Sequence, residues 1–522
     1  MSDRTLYYGK EGSTMEKLYN NIVLPDDFAA APSDASHVPY LEHPPEVIDV
    51  TVGRQLFVDD FLIEETGLRP VYHKAVKYAG SPVLKPETPW EIAQSPVACP
   101  KSGAVRYDEK EGVFKMWYEA GWLRQMAYAE SRDGLHWERP DLGLEPGTNK
   151  ILLYDGFEMD KLGEDIRYLR PDSTTVWIDD DGPADERYKL FLRNPGGRWP
   201  GIAAVSADGI RFRDFRFTSE IYDRSTMFYN PFRKKWVYSI RDMWSGRSRS
   251  YRECSDYLAG AEWKPEEAAH WMACDALDLP NPYIGFPPQL YNVDCVGYES
   301  IMLGMFQIMY GPENNVCEAR GVPKITELEA MYSRDGYHFS RPCRESLIGA
   351  SMVKGAWDRG YVQSVGGVAL IHGDELWIYY AGFGGDETHA GEAWYTNGIY
   401  RNGATGLAKL RRDGFVSMEG DGVLTTRLLT CTGKTQLRIN AAGRVRAEIL
   451  SPDGAVLAVS EPFDGDSTDA WLDFGDFALS SLNGKTLRLR FAVRGALYAF
   501  GFADESGSCG GAHAGGIVRM RN

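Results

Sequence analysis

Three acids stand where a repeated strand pattern could bring them together. Asp172 opens the stretch RPDSTTVWIDDD (170–181), Asp223 opens YDRSTMFYNP (222–231), and Glu299 closes PPQLYNVDCVGYES (287–300) beside the turn into IMLGMF. Carboxyl groups crowded into one cavity do not titrate alike: one pKa rises while others stay low, which separates an acid from a base. Two such groups flanking a glycosidic bond can break it, one protonating the leaving oxygen while the other attacks or activates water. On this reading Asp172 is nucleophile or general base, Asp223 stabilises an oxocarbenium-like transition state, and Glu299 is the general acid. Retention or inversion depends on the carboxyl separation, which a sequence does not contain.

Other residues could serve such a site. Arg224, Arg241, Arg247 and Arg249 form a basic cluster in an acidic chain, and a guanidinium fork suits a carboxylate or a sugar hydroxyl. An exposed ring such as Trp122 could stack on a sugar face. His389, in GGDETHAGEAW, lies on a long loop near the expected mouth, and Asp60 of FVDD is the alternative first acid. There is no GxSxG elbow, GxGxxG, P-loop or HExxH, which removes the commonest sequence-visible hydrolases, NTPases and zinc enzymes. The eight cysteines are scattered with no CxxC pair and read as buried thiols, neither disulfide framework nor zinc site. No metal or cofactor is expected.

The elements that must carry these residues repeat. An apolar-aromatic strand, a turn, and a second strand ending in an Asp-Gly turn recur as FKMWYEAG with MAYAESRDGLHW, YKLFLR with IAAVSADGIRF, and KWVYSIRD with SYRECSDY, where the glycine is lost. The fourth and fifth copies are IMLGMFQIMY with EAMYSRDGYHF and ELWIYYAG with GLAKLRRDGF. Each copy has room for four short strands, so the chain reads as all-β, a five-bladed β-propeller. After residue 425, alternating apolar and polar residues with DG and NGK turns predict a C-terminal β-sandwich. The expected organisation is an N-terminal arm (1–49), propeller (50–424), sandwich (425–505) and flexible Gly/Ser-rich tail (506–522).

With 57 basic against 74 acidic residues, the net charge is −17. Such a chain repels phosphate backbones and anionic headgroups, so neither nucleic acid nor membrane is an expected partner. An oligosaccharide or glycoside is, and a homo-oligomer is compatible with the sequence. The N-terminus lacks the apolar core of an export signal, which points to a cytoplasmic location. The rival readings are a propeller that binds carbohydrate without catalysis and a protein-interaction scaffold.

The five repeats and the Asp/Asp/Glu order resemble the five-bladed propeller glycosidases, the superfamily of glycoside hydrolase families 32, 43 and 68. The stretches QLFVDDFLIEE (55–65), DRSTMFYNPFRKKWVYSIRD (223–242) and YESIMLGMF (298–306) resemble more specifically a bacterial group of family-32-like glycosidases, in which a similar sandwich follows the propeller. The resemblance spans roughly 50–505 and implies hydrolysis or transfer of glycosides, furanosides such as fructosides or arabinosides. The chain departs from the pattern at the first blade. Nothing matches the family 32 WMNDPNG-like nucleophile motif, and SPVACPKSGAVRYD (95–108) opens without the acid of family 43. Either the site has moved one blade along or Asp60 fills the first role.

Overall fold

The computed structural model describes residues 15–30, 37–93, 95–151, 172–193, 199–393 and 397–519. Five antiparallel sheets follow one another along the chain. The first is built from Ala98–Asp108, Val113–Ala120 and Gln125–Ser131, the second from four strands between Ser173 and Ile221, and the third from four between Thr226 and Ala273. The fourth holds Gln289–Glu299, Ile301–Gly311 and Ile325–Ser333; the fifth holds Gly360–Gln363, Glu375–Phe383 and Gly403–Arg411. Side chains of all five innermost strands meet near Ser102, described below. The fold is a five-bladed propeller. Its blades stack face to face, so strands such as Val113–Ala120 are buried along almost their whole length, which is why they read as continuous apolar-aromatic runs rather than as alternation. Among the described residues the longest α-helix is Asn314–Arg320, and no helix is long and apolar enough to cross a membrane.

The ring is closed by a strand from outside the repeats. Val76–Lys77 pairs with Lys409 and Ala408 and supplies the outer edge of the fifth blade. A strand from before blade one thus completes blade five, which protects an edge that would otherwise be open.

Three of the Asp-Gly turns are copies of one structure. In SRDG (131–134), SADG (206–209) and SRDG (333–336) the serine Oγ accepts the N–H groups of the aspartate and glycine. The aspartate Oδ1 accepts the next two N–H groups, an Asx-turn closed on itself. Each glycine has positive φ and plugs into a neighbouring blade. Trp117 Nε1 donates to the Gly209 carbonyl at 2.7 Å, and Tyr379 Oη donates to that of Gly134 at 2.7 Å. A Cβ on Gly209 would lie 2.8 Å from the Trp117 ring. Gly209→Ala is therefore expected to cost on the order of 1–3 kcal/mol through strain and overpacking, read as a lower thermal midpoint.

A second body caps the propeller at the face where the innermost strands end. Its eight-stranded sheet takes Val416–Thr426, Gln436–Leu450, Val456–Val459, Phe463–Trp471 and Arg488–Ala503, together with Gln55–Leu56, Ile63–Thr66 and Arg69–Tyr72. The N-terminal segment contributes Leu18, Ile22, Val38, Tyr40 and Ile48 to the same core. It is therefore built into the C-terminal body instead of lying over it as an arm. Gly420, Gly495, Gly443 and Gly465 are register partners across four strands. A Cβ on Gly495 would stand 2.2 Å from the Ala442 oxygen, so only glycine permits these backbones to approach so closely.

The Gly-rich tail is a plug. Residues 512–513 pair with Tyr298 and Glu299, Gly515 O accepts from Tyr107 N, and Gly516 O accepts from Ile371 N. Three innermost strands are thereby joined at the end of the channel. A Cβ on Gly511 would meet Glu299 at 2.3 Å and one on Gly516 the Tyr107 oxygen at 2.5 Å. The low-complexity composition that suggested flexibility is a steric requirement of the plug.

Candidate active site

The innermost strands begin at the opposite mouth, and there their side chains meet. Ser102 of blade one is the hub: its Oγ accepts from Arg224 Nη2 of blade three at 3.2 Å and from Asn292 Nδ2 of blade four at 2.6 Å. Thr175 of blade two donates to the Ser102 carbonyl, and Arg224 also reaches Gln363 of blade five at 3.1 Å. All five blades therefore converge on one point.

Irregular backbone delivers these groups. Between Cys99 and Ala104 the first innermost strand carries extra residues against Glu119 and Trp117, and these include Lys101 and Ser102. A bulge between Leu290 and Asn292 throws out Tyr291, and another between Gly360 and Gln363 contains Tyr361. Such bulges re-aim side chains at the ends of strands. Ser102, Arg224 and Tyr361 also hold positive φ, a conformation that non-glycine residues keep only where surrounding bonds impose it.

Asp172 lies at this mouth, and its Oδ1 accepts from Lys101 Nζ at 2.9 Å. The same ammonium stands 3.4 Å from Glu119 Oε2. The nearest oxygens of Asp172 and Glu119 are thus separated by no more than the sum of those two contacts. Glu119 is 3% exposed. Burial, the largest influence, raises its pKa and Asp172 adds to the rise, while Lys101, the Leu123 N–H and Arg224 pull it down; the result is about 7. Glu119 therefore gains and loses its proton near neutrality. Lys101 also sits 3.8 Å over the ring of Trp122, which stacks on Tyr400 at 4.0 Å between centroids.

At the same mouth Asp223 pairs with Arg241, whose guanidinium also feels Asp172. Beyond it Tyr291 Oη bonds Tyr361 Oη at 2.8 Å and accepts from Lys324 Nζ at 3.2 Å. Arg249 spends its guanidinium on the carbonyls of Arg224 and Tyr291, which fixes both residues. Asp294 is buried against Ser364 and Asn292, and burial raises its pKa.

Of the residues expected from sequence, Asp172, Asp223, Arg224, Arg241 and Trp122 come together here. Glu299 does not. Its strand begins at the mouth with Gln289, so Glu299 emerges at the plugged end, where it bonds Arg412 at 3.0 Å and the Arg54 N–H at 3.1 Å. Asp60 lies on the same far side, in a short 3-10 turn capped by Asp59, which pairs with Arg334. His389 sits on a rim loop, paired with Asp386 at 2.6 Å.

Glu119, Lys101, Tyr291 and Lys324 escaped the sequence reading, which sought its acids on innermost strands and, for Asp60, before the first repeat. A second strand runs antiparallel to the first, so its last residues return to the same mouth. The acid in MWYEAG (116–121) was the available signal. Among the described residues no cluster of His, Cys, Asp and Glu could hold a metal ion.

No family model matches the chain, and no curated protein sequence matches it. Among solved structures it is similar to an N-acetylgalactosamine deacetylase from F. plautii in complex with blood group B trisaccharide, at 13% identity and TM-score 0.43, covering 67% of this chain and 96% of that one. A family 43 arabinoxylan arabinofuranohydrolase from Bacillus subtilis aligns at 10% identity and TM-score 0.29, over 77% and 79% of the two chains. The family 32 β-fructofuranosidase of Bombyx mori aligns at 10% identity and TM-score 0.33, over 83% and 93%. With scores of this size, the functional reading rests on the mouth itself.

Proposed function

We propose that this protein is a carbohydrate-active enzyme that hydrolyses or transfers a glycosidic bond at the mouth of the propeller where the innermost strands begin. The observation that carries the reading is the pair Glu119 and Asp172: two carboxyls on one ammonium, with Glu119 protonated near neutral pH. Glu119 delivers its proton to the leaving oxygen as the bond to the anomeric carbon breaks. Asp172 attacks that carbon, and water later releases the sugar with Glu119 acting as base. The shared lysine keeps the carboxyls close, as suits a retaining pair at about 5–5.5 Å better than an inverting pair at about 6.5–9.5 Å. Asp223, clasped by Arg241, serves as an electrostatic stabiliser. Trp122, buried between the Lys101 ammonium and the Tyr400 ring, has both faces filled, so it braces the lysine instead of stacking on a sugar. Furanosides such as fructosides and arabinosides are the substrate class suggested by the sequence resemblance.

A screen of aryl and alkyl glycosides, with the product anomer followed by NMR, tests this reading; retention is expected, and an inverted product would exclude Asp172 as nucleophile. The pH profile gives a second check. A general acid works only while protonated, so activity should fall as pH rises through about 7, the value for Glu119. Asp172 raises that value, so residual activity in Asp172→Asn should lose its alkaline limb at lower pH. An alkaline limb unmoved by the substitution would separate the two groups.

A further inference from the structure

The mouth carries more positive charge than its carboxylates can neutralise, in a protein whose net charge is −17. Lys101 is matched by Asp172 and Glu119, and Arg241 by Asp223. Arg224, Arg247 and Lys324 make no ion pair among the described residues, yet all three surround one ring. Lys324 Nζ lies 4.9 Å, Arg247 Cζ 5.2 Å and Arg224 Cζ 5.8 Å from the centroid of Tyr291. Arg224 is 1% exposed, and its Nε and Nη1 find no acceptor among the described residues. A buried guanidinium with two idle donors is costly unless a ligand supplies acceptors.

The Tyr291 phenol reports the field these cations make. Its burial raises the pKa and is the largest single influence, but Lys324, Arg247 and Arg224, helped by the Tyr361 hydroxyl, outweigh it and bring the phenol below its ordinary value. A place whose cations favour the anionic form of a buried phenol also favours another oxyanion beside it.

We propose that Arg224, Arg247 and Lys324 form an oxyanion subsite next to the Glu119–Asp172 pair, which takes a carboxylate, sulfate or phosphate. The oxyanion is either borne by the sugar, making the substrate an acidic saccharide, or free in solution as inorganic phosphate. This rests on the reading of the mouth as a saccharide site, but its test is binding and needs no turnover. Arg247 is the residue to change. It lies in the Asp242–Ser248 hairpin, partly exposed and without a hydrogen bond of its own among the described residues, so Arg247→Gln leaves the fold intact.

Calorimetric titration of the full chain with glucuronate, inorganic phosphate, inorganic sulfate and neutral methyl glucoside decides the matter. At least one anion should bind saturably and weaken about tenfold or more in Arg247→Gln, the scale of one lost charge-assisted bond. Methyl glucoside should be indifferent to the substitution. Glucuronate without phosphate or sulfate identifies a sugar-borne carboxylate; phosphate without glucuronate identifies a free inorganic anion. Absence of binding by all three anions, or anion binding that Arg247→Gln does not weaken, overturns the proposal. Glu119→Gln should bind the anion as the wild type does, so loss of turnover there speaks only to catalysis.

Discussion

Glu119→Gln is expected to slow cleavage of an alkyl glycoside by about 10²–10⁴-fold, the range for losing a positioned proton donor. Glutamine keeps the shape and can still accept from the Leu123 N–H, so circular dichroism and thermal midpoint should change little. Aryl glycosides with acidic leaving groups need little protonation, and their rates should fall far less. That contrast distinguishes a lost acid from general damage to the mouth. The alkaline limb near pH 7 should vanish with the carboxyl that produces it. Equal slowing of good and poor leaving groups, or a limb that persists, would remove Glu119 from the chemistry and leave it as the counter-charge of Lys101.

The largest stability effect should come from the joint between propeller and cap. Arg54 grips Asp413 through Nε at 2.7 Å and Nη2 at 2.6 Å, while Tyr298 Oη donates to the other carboxylate oxygen at 2.5 Å and Asn440 Nδ2 at 3.1 Å completes the shell. Arg54 and Asp413 are both buried. Arg54→Met would strand a buried carboxylate and is expected to cost about 3 kcal/mol or more, because the desolvation of Asp413 would lose its principal compensation. Arg54→Met with Asp413→Asn should recover most of the loss, since asparagine tolerates the positive φ of residue 413 and removes the unpaired charge. A double variant as unstable as the single one would show that packing, not charge, governs the joint. The pH dependence has a definite sign. Burial raises the Asp413 pKa, but Arg54, Arg412, Tyr298 and Asn440 together bring it below the ordinary carboxylate value. The unfolded chain therefore takes up the proton first as pH falls. The stabilisation is complete above the ordinary carboxylate pKa and is lost as pH drops through the lowered one.

Much of the architecture was written along the chain because it depends on local chemistry. The SxDG turns are complete in six residues, from the serine to the second residue after the glycine, with every bond of the turn made inside that span, so their repetition announced the blades. Runs such as MWYEA and LWIYYA have no polar face because both faces of a blade are covered, and this too is visible without coordinates. The sequence by itself therefore determined an all-β chain, five blades and a further β body, and it pointed to Asp172, Asp223 and Arg224 at the starts of innermost strands.

Which end of a strand faces which mouth was decided by the tertiary structure. Glu299 belongs to the same strand as Tyr291 and Asn292, but an eleven-residue strand (Gln289–Glu299) carries it across the thickness of the propeller into the joint with Arg412. Glu119 makes the reverse journey, returning on a second strand to meet Lys101. Long-range pairing also placed Val76–Lys77 on the last blade and turned a glycine-rich tail into a plug, contacts between residues hundreds of positions apart. The reason is common to all of them. A turn is fixed by neighbours in sequence, whereas a site at the axis of a ring is fixed by closure of the ring, which no single blade contains.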